Sequence, residues 1–355
     1  MRKRICLTGG GGFVGAHTLA HLLQGTDWDV VVVDSFRHKG KTDRISQTLR
    51  GGPPAWRDRV QIYVHDLTAP VSAQGIAAIG PLDYIIAMAS GSHVDRSIAD
   101  PVPFVRNNVE LIMSTLELAR QAQPGHMIVI STDEVYGPVR ADQPPHGEWA
   151  PILPSNPYSA SKACQEALAV SWWRTYGVPL SIVNAMNIYG EMQDREKYLP
   201  SLISKISAGE TVTVHGTAGN IGTRHWLHAR NLSDALLFIF ANLPPASFGS
   251  STRPDRYNVV GRARISNLKM AQMVAELLGK PLRYVLEDFH STRPGHDPHY
   301  GLDGSKLSAL GWEPPVEFGA ALARTVRWST EHPEWLFPDC GEAAQRLSRG
   351  VLVAG

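Results

Sequence analysis

No apolar run approaches the ~20 consecutive residues that a membrane-spanning helix needs. Three cysteines, Cys6, Cys164 and Cys340, are too few and too scattered for a disulfide framework or a thiolate metal cluster. Cys6 falls in a strand pattern and Cys164 in a helical one, so both are expected as reduced packing residues. Lys and Arg number 34 against 33 Asp and Glu, a net charge of +1 that gives no general pull toward nucleic acid or a membrane surface. The 14 histidines include no H-x-x-x-H or H-E-x-x-H spacing worth pursuing, so no metal is expected. Met1-Arg2-Lys3-Arg4 runs into an apolar strand without a cleavage-like site, and a cytoplasmic protein is the expectation. What remains is a 355-residue chain, 43% hydrophobic, long enough for one large domain or two ordinary ones.

The stretch Ser131-Thr132-Asp133-Glu134-Val135-Tyr136-Gly137 organises the chain. The apolar, β-branched run before it, 126–130, reads as a buried parallel strand, and the carboxyl ends of such strands are where open α/β sheets bind ligands. Tyr158 and Lys162 follow, four residues apart in a helix-compatible stretch, so they share one face. An ammonium beside a phenol favours the phenolate, a base able to take an alcohol proton at neutral pH.

The N-terminus supplies the context. Arg4 to Thr8 is a strand, and Gly9, Gly12 and Gly15 punctuate the turn into a helix ending near Gln24. Such a turn lets backbone approach a pyrophosphate, and the helix N-terminus offers it unpaired N–H groups. Val30 to Val33 forms a second strand ending in Asp34, about 20 residues beyond the glycines, where a carboxylate accepts from ribose hydroxyls and repels a 2′-phosphate. NAD is therefore expected over NADP, with nearby Arg37 and Lys39 as the counter-indication.

A polar excursion spans 38–58. Strand three, 61–64, reaches Asp66 and Leu67, where an acid meets an adenine amino group. Strand four, 83–88, empties into Ala89 and Ser90, small residues that let backbone lie against a cofactor. A helix over 104–121, strand five and a sixth strand at 180–184 complete the alternation. The pattern predicts an α/β fold, a Rossmann-type doubly wound parallel sheet over residues 1–186 with returning segments near 225–260. Beyond Asn187 the alternation lapses, so 187–330 reads mainly as a smaller substrate-binding lobe and 331–355 as a tail. Helices at 199–208 and 266–278 and strands at 211–214 and 257–260 are expected there. Arg224, Arg253, Arg262, Arg264, Arg283 and Arg293 are candidates to clamp a diphosphate, although most read individually as solvated surface.

In combination these motifs resemble the extended short-chain dehydrogenase/reductases, and within them the nucleotide-sugar 4,6-dehydratases. The likeness runs from about Arg4 to Trp328. It rests on G-x-x-G-x-x-G from Gly9, S-H-V-D-R-S from Ser92, T-D-E-V-Y-G from Thr132 and Y-S-A-S-K from Tyr158. R-E-K from Arg195, R-x-W from Arg224, Y-N at Tyr257 and R-P-G-H-D from Arg293 extend it.

The resemblance implies a nucleotide-diphosphate hexose such as dTDP-glucose as substrate, and tightly held NAD. Gly9, Gly12, Phe13, Val14, Gly15, Asp34, Ser35, Phe36, Asp66, Leu67, Ala89, Ser90, Tyr158 and Lys162 would hold the cofactor. His93, Asn187, Lys197, Tyr198, Arg224, Asn258, Arg293 and His296 would face the substrate. Tyr158 with Lys162 would serve oxidation at C4, Glu134 would take the C5 proton, Asp133 would protonate the departing C6 hydroxyl, and Thr132 would bond the 4-oxygen. A homodimer joined by the helices near Phe104 and Pro157 is also implied.

The chain departs from the family at Gly91, where an acid is usual, and at Glu191, His228, Arg230 and Asn231. A 4-epimerase or decarboxylase on the same scaffold, or a non-catalytic dinucleotide sensor, is the competing expectation. The Asp133–Glu134 pair argues against each.

Overall fold

The computed structural model describes residues 2–139, 143–288 and 299–337. Its centre is a sheet of seven strands: β1 (Arg4–Thr8), β2 (Asp29–Asp34), β3 (Val60–Val64), β4 (Tyr84–Ala87), β5 (His126–Thr132), β6 (Leu180–Ala185) and β7 (Asp255–Val259). The order is β7-β6-β5-β4-β1-β2-β3, and every pairing is parallel. Order reverses between β1 and β4, which opens a crevice at their carboxyl ends.

Successive residues of the buried strands feed opposite faces. Ile5, Leu7, Val30 and Val32 pack with α1 (Phe13–Gly25), α2 (Thr42–Arg50) and, from the second half of the chain, α8 (Ala229–Asn242). Cys6, Val31 and Val33 pack on the other side, in the core that takes in α3 (Ala73–Ile79), α5 (Pro101–Ala122) and α6 (Pro157–Tyr176). The short α4 (Val94–Ala99) follows β4. Each layer thus covers one apolar face, as a doubly wound sheet requires.

A separate core forms the lobe. Leu199, Leu202 and Ile203 of α7 (Tyr198–Ala208), Met270 and Val274 of α9 (Asn267–Leu278) and Leu322 of α11 (Phe318–Glu331) close around Val212 and Val214. The small α10 (Ser305–Ala309) instead sets Leu307 into the main core. The strand expected at 257–260 is β7 and joins the main sheet beside β6, because its buried residues continue that hydrophobic surface.

Three further expectations are corrected. The excursion at 38–58 contains α2 and a 3-10 turn, Pro54–Arg59, since Ile45 finds the core. Cys6 is buried as expected, but Cys164 is exposed on the open face of α6. His17 and His21 do stand in H-x-x-x-H spacing, yet they turn to different acids, Glu191 and Asp234. Among the described residues no group of three or more His, Cys, Asp or Glu can hold a metal. No described helix is long and apolar enough to cross a membrane.

Candidate active site

β5 runs past the end of β4, so Ser131 and Thr132 pair with β6 alone, and the chain then coils into a single 3-10 turn, Asp133–Tyr136. That turn presents two acids of different surroundings. Asp133 is 4% exposed, and its Oδ1 accepts from Thr132 Oγ1 at 2.9 Å. Its Oδ2 is buried with no hydrogen-bond partner among the described residues. Burial and the neighbouring Glu134 charge push its carboxyl up to about 7, with Thr132 and Arg224 offsetting only part. Glu134 is half-buried and accepts from Asn156 Nδ2 at 3.3 Å.

Asn156 was not singled out from the sequence, although Asn before Pro at a helix start is a capping signal. Its Oδ1 accepts the Ser159 N–H at 2.9 Å, and Ser159 returns a bond to complete a capping box for α6. The residue that starts the Tyr158 helix therefore also orients Glu134.

Tyr158 lies among these groups. Its phenol bonds to the Thr132 hydroxyl, and burial, then the Glu134 and Asp133 charges, hold it above its ordinary range. Lys162 does not rest on the phenol as expected. Its Nζ donates to Ile130 O at 2.7 Å and to Gln165 Oε1, and burial lowers it to about 8. Gln165 in turn donates to Asn108 O at 2.7 Å, and Asn108 binds Ser161 Oγ at 2.9 Å. Behind the site Asn184 donates to Thr132 O at 3.0 Å and to Glu166, which pairs with buried Arg256 at 2.8 Å. Asn108, Gln165 and Asn184 carry no motif signal; only the packed structure shows that they fix the reactive groups.

The cofactor crevice fits NAD. Gly9 has φ +72, and a Cβ on Gly15 would come within 2.2 Å of the Gly9 carbonyl oxygen, so the turn admits only glycine there. α1 begins at Phe13 and Val14 behind Gly12, with no side-chain cap, leaving its first N–H groups for phosphate. Thr8 Oγ1 accepts from Met88 N and Ala89 N, which draws Ala89 and the following Ser90 toward the turn. Asp34 accepts from Gly11 N and Phe36 N, both at 2.9 Å, and each oxygen keeps a lone pair for a ribose hydroxyl. Ser35 accepts from Arg37 N at 3.3 Å, and Phe36, at φ +52, bends the strand exit over Gly11.

Arg37 pairs with Asp66 at 2.5 Å and Lys39 with Glu196 at 2.9 Å, so both cations that spoke for NADP are engaged elsewhere. The other oxygen of Asp66 accepts from Thr68 N and Oγ1, and Leu67 beside it is buried.

The expected substrate residues divide. Arg224 is buried, stacks on Tyr300 at 4.8 Å and acts on the Asp133 charge, which puts it beside the acid pair. Lys197 reaches Ser92 O at 2.7 Å, and its charge is felt by His93, the cap of α4. Asn187 is half-buried just past the carboxyl end of β6. The Tyr198 hydroxyl donates to Asn267 O at 2.7 Å with its ring on Trp226. The Asn258 amide nitrogen donates to His146 O and Asp303 O from a fully buried position, and its Oδ1 has no hydrogen-bond partner among the described residues. Arg293 and His296 lie outside the described residues.

The departures from the family pattern also resolve. A Cβ on Gly91 would lie 3.0 Å from the Phe104 ring, while Gly91 N donates to Asn108 Oδ1 at 2.7 Å, so the loop closes without an acid. Glu191, His228 and Arg230 form one cluster. His228 Nδ1 accepts Arg230 N at 3.2 Å, which leaves Nε2 to donate to Glu191 Oε2 at 3.1 Å. Arg324 Nε adds a bond to Glu191 at 2.8 Å. Asn231 spans to Val316 through both its amide atoms.

Known proteins are similar to this chain along most of its length. The profile of the family described as GDP-mannose 4,6 dehydratase matches residues 6–325. The dTDP-glucose 4,6-dehydratase of Haemophilus influenzae is 32% identical over 343 residues, covering 91% of this chain and 97% of that protein. The crystal structure of DesIV from Streptomyces venezuelae, a dTDP-glucose 4,6-dehydratase with NAD and dTDP bound, superposes with a TM-score of 0.80. It is 31% identical and covers 94% of this chain and 99% of its own. A UDP-glucose 4-epimerase from Thermus thermophilus, solved with NAD, gives a TM-score of 0.77 at 26% identity, with 92% and 98% covered.

Proposed function

Because the chain belongs to the GDP-mannose 4,6 dehydratase family of extended short-chain dehydrogenase/reductases, we propose that it converts dTDP-glucose, or a closely related nucleotide-diphosphate hexose, to the 4-keto-6-deoxy sugar. The observation that carries this reading is the acid pair: Asp133, its carboxyl raised to about 7, and its neighbour Glu134, beside one phenol.

When bound, NAD supplies a hydride acceptor for C4, a positive ring that favours the ionised phenol, and the hydride returned to C6. Tyr158 takes the 4-hydroxyl proton, and Thr132 keeps the 4-oxygen in line with the phenol. A ketone at C4 acidifies the C5 proton, which Glu134 removes. Asp133 Oδ2 then gives its proton to the departing C6 hydroxyl, which leaves as water. Half-buried Glu134 exchanges its proton with solvent and gives one back to C5 as C6 is reduced, while the proton that Tyr158 gained leaves to solvent and Asp133 regains one, so all three groups are restored. Two carboxyls with opposite tasks need separated proton affinities, and burial of Asp133 against the charge of Glu134 provides the separation.

Several finer assignments belong to the same proposal. Residues 1–186, with the returning segments near 225–260, act as the cofactor half, and 187–330 mainly as the substrate lobe. The exposed apolar residues Val102 and Met113 of α5 and Tyr176 of α6 mark the faces that join two copies into a homodimer. The cytoplasm, where NAD and nucleotide sugars are made, is the proposed compartment.

Incubation with dTDP-glucose in D2O followed by mass analysis tests the reaction. Loss of one water with one deuterium at C5 is the expected result; an isomer of unchanged mass would establish epimerisation instead. Glu134→Gln should stop deuterium entry while NAD stays bound, and full turnover in that variant would remove Glu134 from its role.

A further inference from the structure

Segment 190–197 joins the Ile188–Tyr189 strand to α7, yet much of its bonding reaches back to the cofactor half. At its start the Glu191 carbonyl oxygen accepts from His17 Nε2 of α1 at 2.9 Å. At its far end Glu196 pairs with Lys39 at 2.9 Å and Arg96 at 2.8 Å, and Lys197 donates to Ser92 O at 2.7 Å. Between these ends Met192 takes a left-handed backbone, φ +63, that bends the chain toward α2.

Arg44 meets it there. This side chain is 0% exposed, with its guanidinium under the Trp335 ring at 5.5 Å. Nε donates to Met192 O at 3.1 Å and Nη2 pairs with Asp194 at 3.1 Å. Nη1 turns the opposite way, to Lys39 O at 2.5 Å and Gly11 O at 3.4 Å, the latter a carbonyl of the glycine turn itself. Burying a guanidinium is costly unless its donors are met, and a rigid fork is suited to joining several backbone oxygens at once.

We infer that Arg44 is a positioning residue for NAD: it locks segment 190–197 as a strap across the glycine turn, and the cofactor leaves only when that strap lifts. The inference rests on the dehydratase reading only through the NAD site. It also gives that reading a requirement it otherwise lacks, since a hydride lent and returned within one turnover is lost if the reduced cofactor departs early.

The test uses protein loaded with labelled NAD and chased with excess unlabelled NAD, without any sugar. Asp194→Asn keeps shape while losing the ion pair, and Arg44→Met removes the fork; thermal melting of each confirms that it folds. Release should quicken about tenfold or more in both, with Arg44→Lys in between, because the buried ion pair to Asp194 is lost in each and the bond to Met192 O also goes in Arg44→Met. Turnover at saturating NAD should stay within about twofold while the KM for NAD rises. Wild-type release rates in a folded Asp194→Asn protein would overturn the proposal. So would a fall in saturated turnover that matches the gain in release. Absence of water elimination in a protein that holds NAD in this way would sink the dehydratase reading alone.

Discussion

Asp133, at the end of β5, and Glu191, just past the short Ile188–Tyr189 strand outside the main sheet, are both 4% exposed acids, and they have opposite fates. Around Asp133, burial and the Glu134 charge dominate, and its carboxyl rises to about 7. Around Glu191, burial pushes the same way but is outweighed by the His228 bond and the His17 and His228 rings, so it lies far below the usual carboxylate range. Depth alone therefore decides nothing. The donors aimed at the carboxyl decide whether it is a proton source or a fixed anion.

Replacing each acid by its amide should break the comparison most sharply. Asp133→Asn removes the proton donor, and turnover should fall by about 10²–10⁴. The pH profile of kcat gives the sign. Asp133 titrates near 7, above its ordinary 3.8, so the donor form is full below that pH and is lost as pH rises through it. An alkaline fall in kcat near 7 that Asp133→Asn leaves in place would detach that limb from this residue.

Stability should separate the two acids next. Glu191 has a depressed carboxyl, so its contribution is present above its ordinary 4.5 and is lost as pH falls. Glu191→Gln leaves the part-exposed Arg324 without its anion and weakens the bond from His228, and should cost about 1–3 kcal/mol in denaturant unfolding at neutral pH. Asp133→Asn should do the reverse. A raised carboxyl costs the folded state progressively from 3.8 up to about 7, so this variant should melt higher than wild type at pH 8 and gain less at pH 4. Equal shifts in one direction for both amides would erase the distinction. The smallest effect belongs to Arg230→Ala. Its side chain is 45% exposed and 3.9 Å from Glu191, so the loss should stay within about 1 kcal/mol.

The sheet and the acid pair were legible because β-branched runs punctuated by glycine fold as buried parallel strands and little else, and because a carboxylate at such a strand's end has a definite location. Direction within a crowded site was not legible. Lys162 shares a helix face with Tyr158, yet its ammonium finds the Ile130 carbonyl and Gln165 from other turns and strands. α2 was hidden because its one buried cation, Arg44, looks like solvent-facing polarity in sequence. Tyr198 and Asn258 are expected on the substrate side, but a residue type does not say which backbone carbonyl its donor will meet. The glycine at 91 and the Glu191 cluster were visible as departures, while the partners that satisfy each, Asn108 for Gly91 and His228 for Glu191, needed coordinates.

Asn156 joins the first turn of α6 to the Glu134 carboxylate through a single amide group. Loosening of that turn would displace the phenol and the Glu134 carboxylate in one event. On the mechanism proposed above, oxidation and proton removal would then fail together, and a reactive ketone would not be set free half-made.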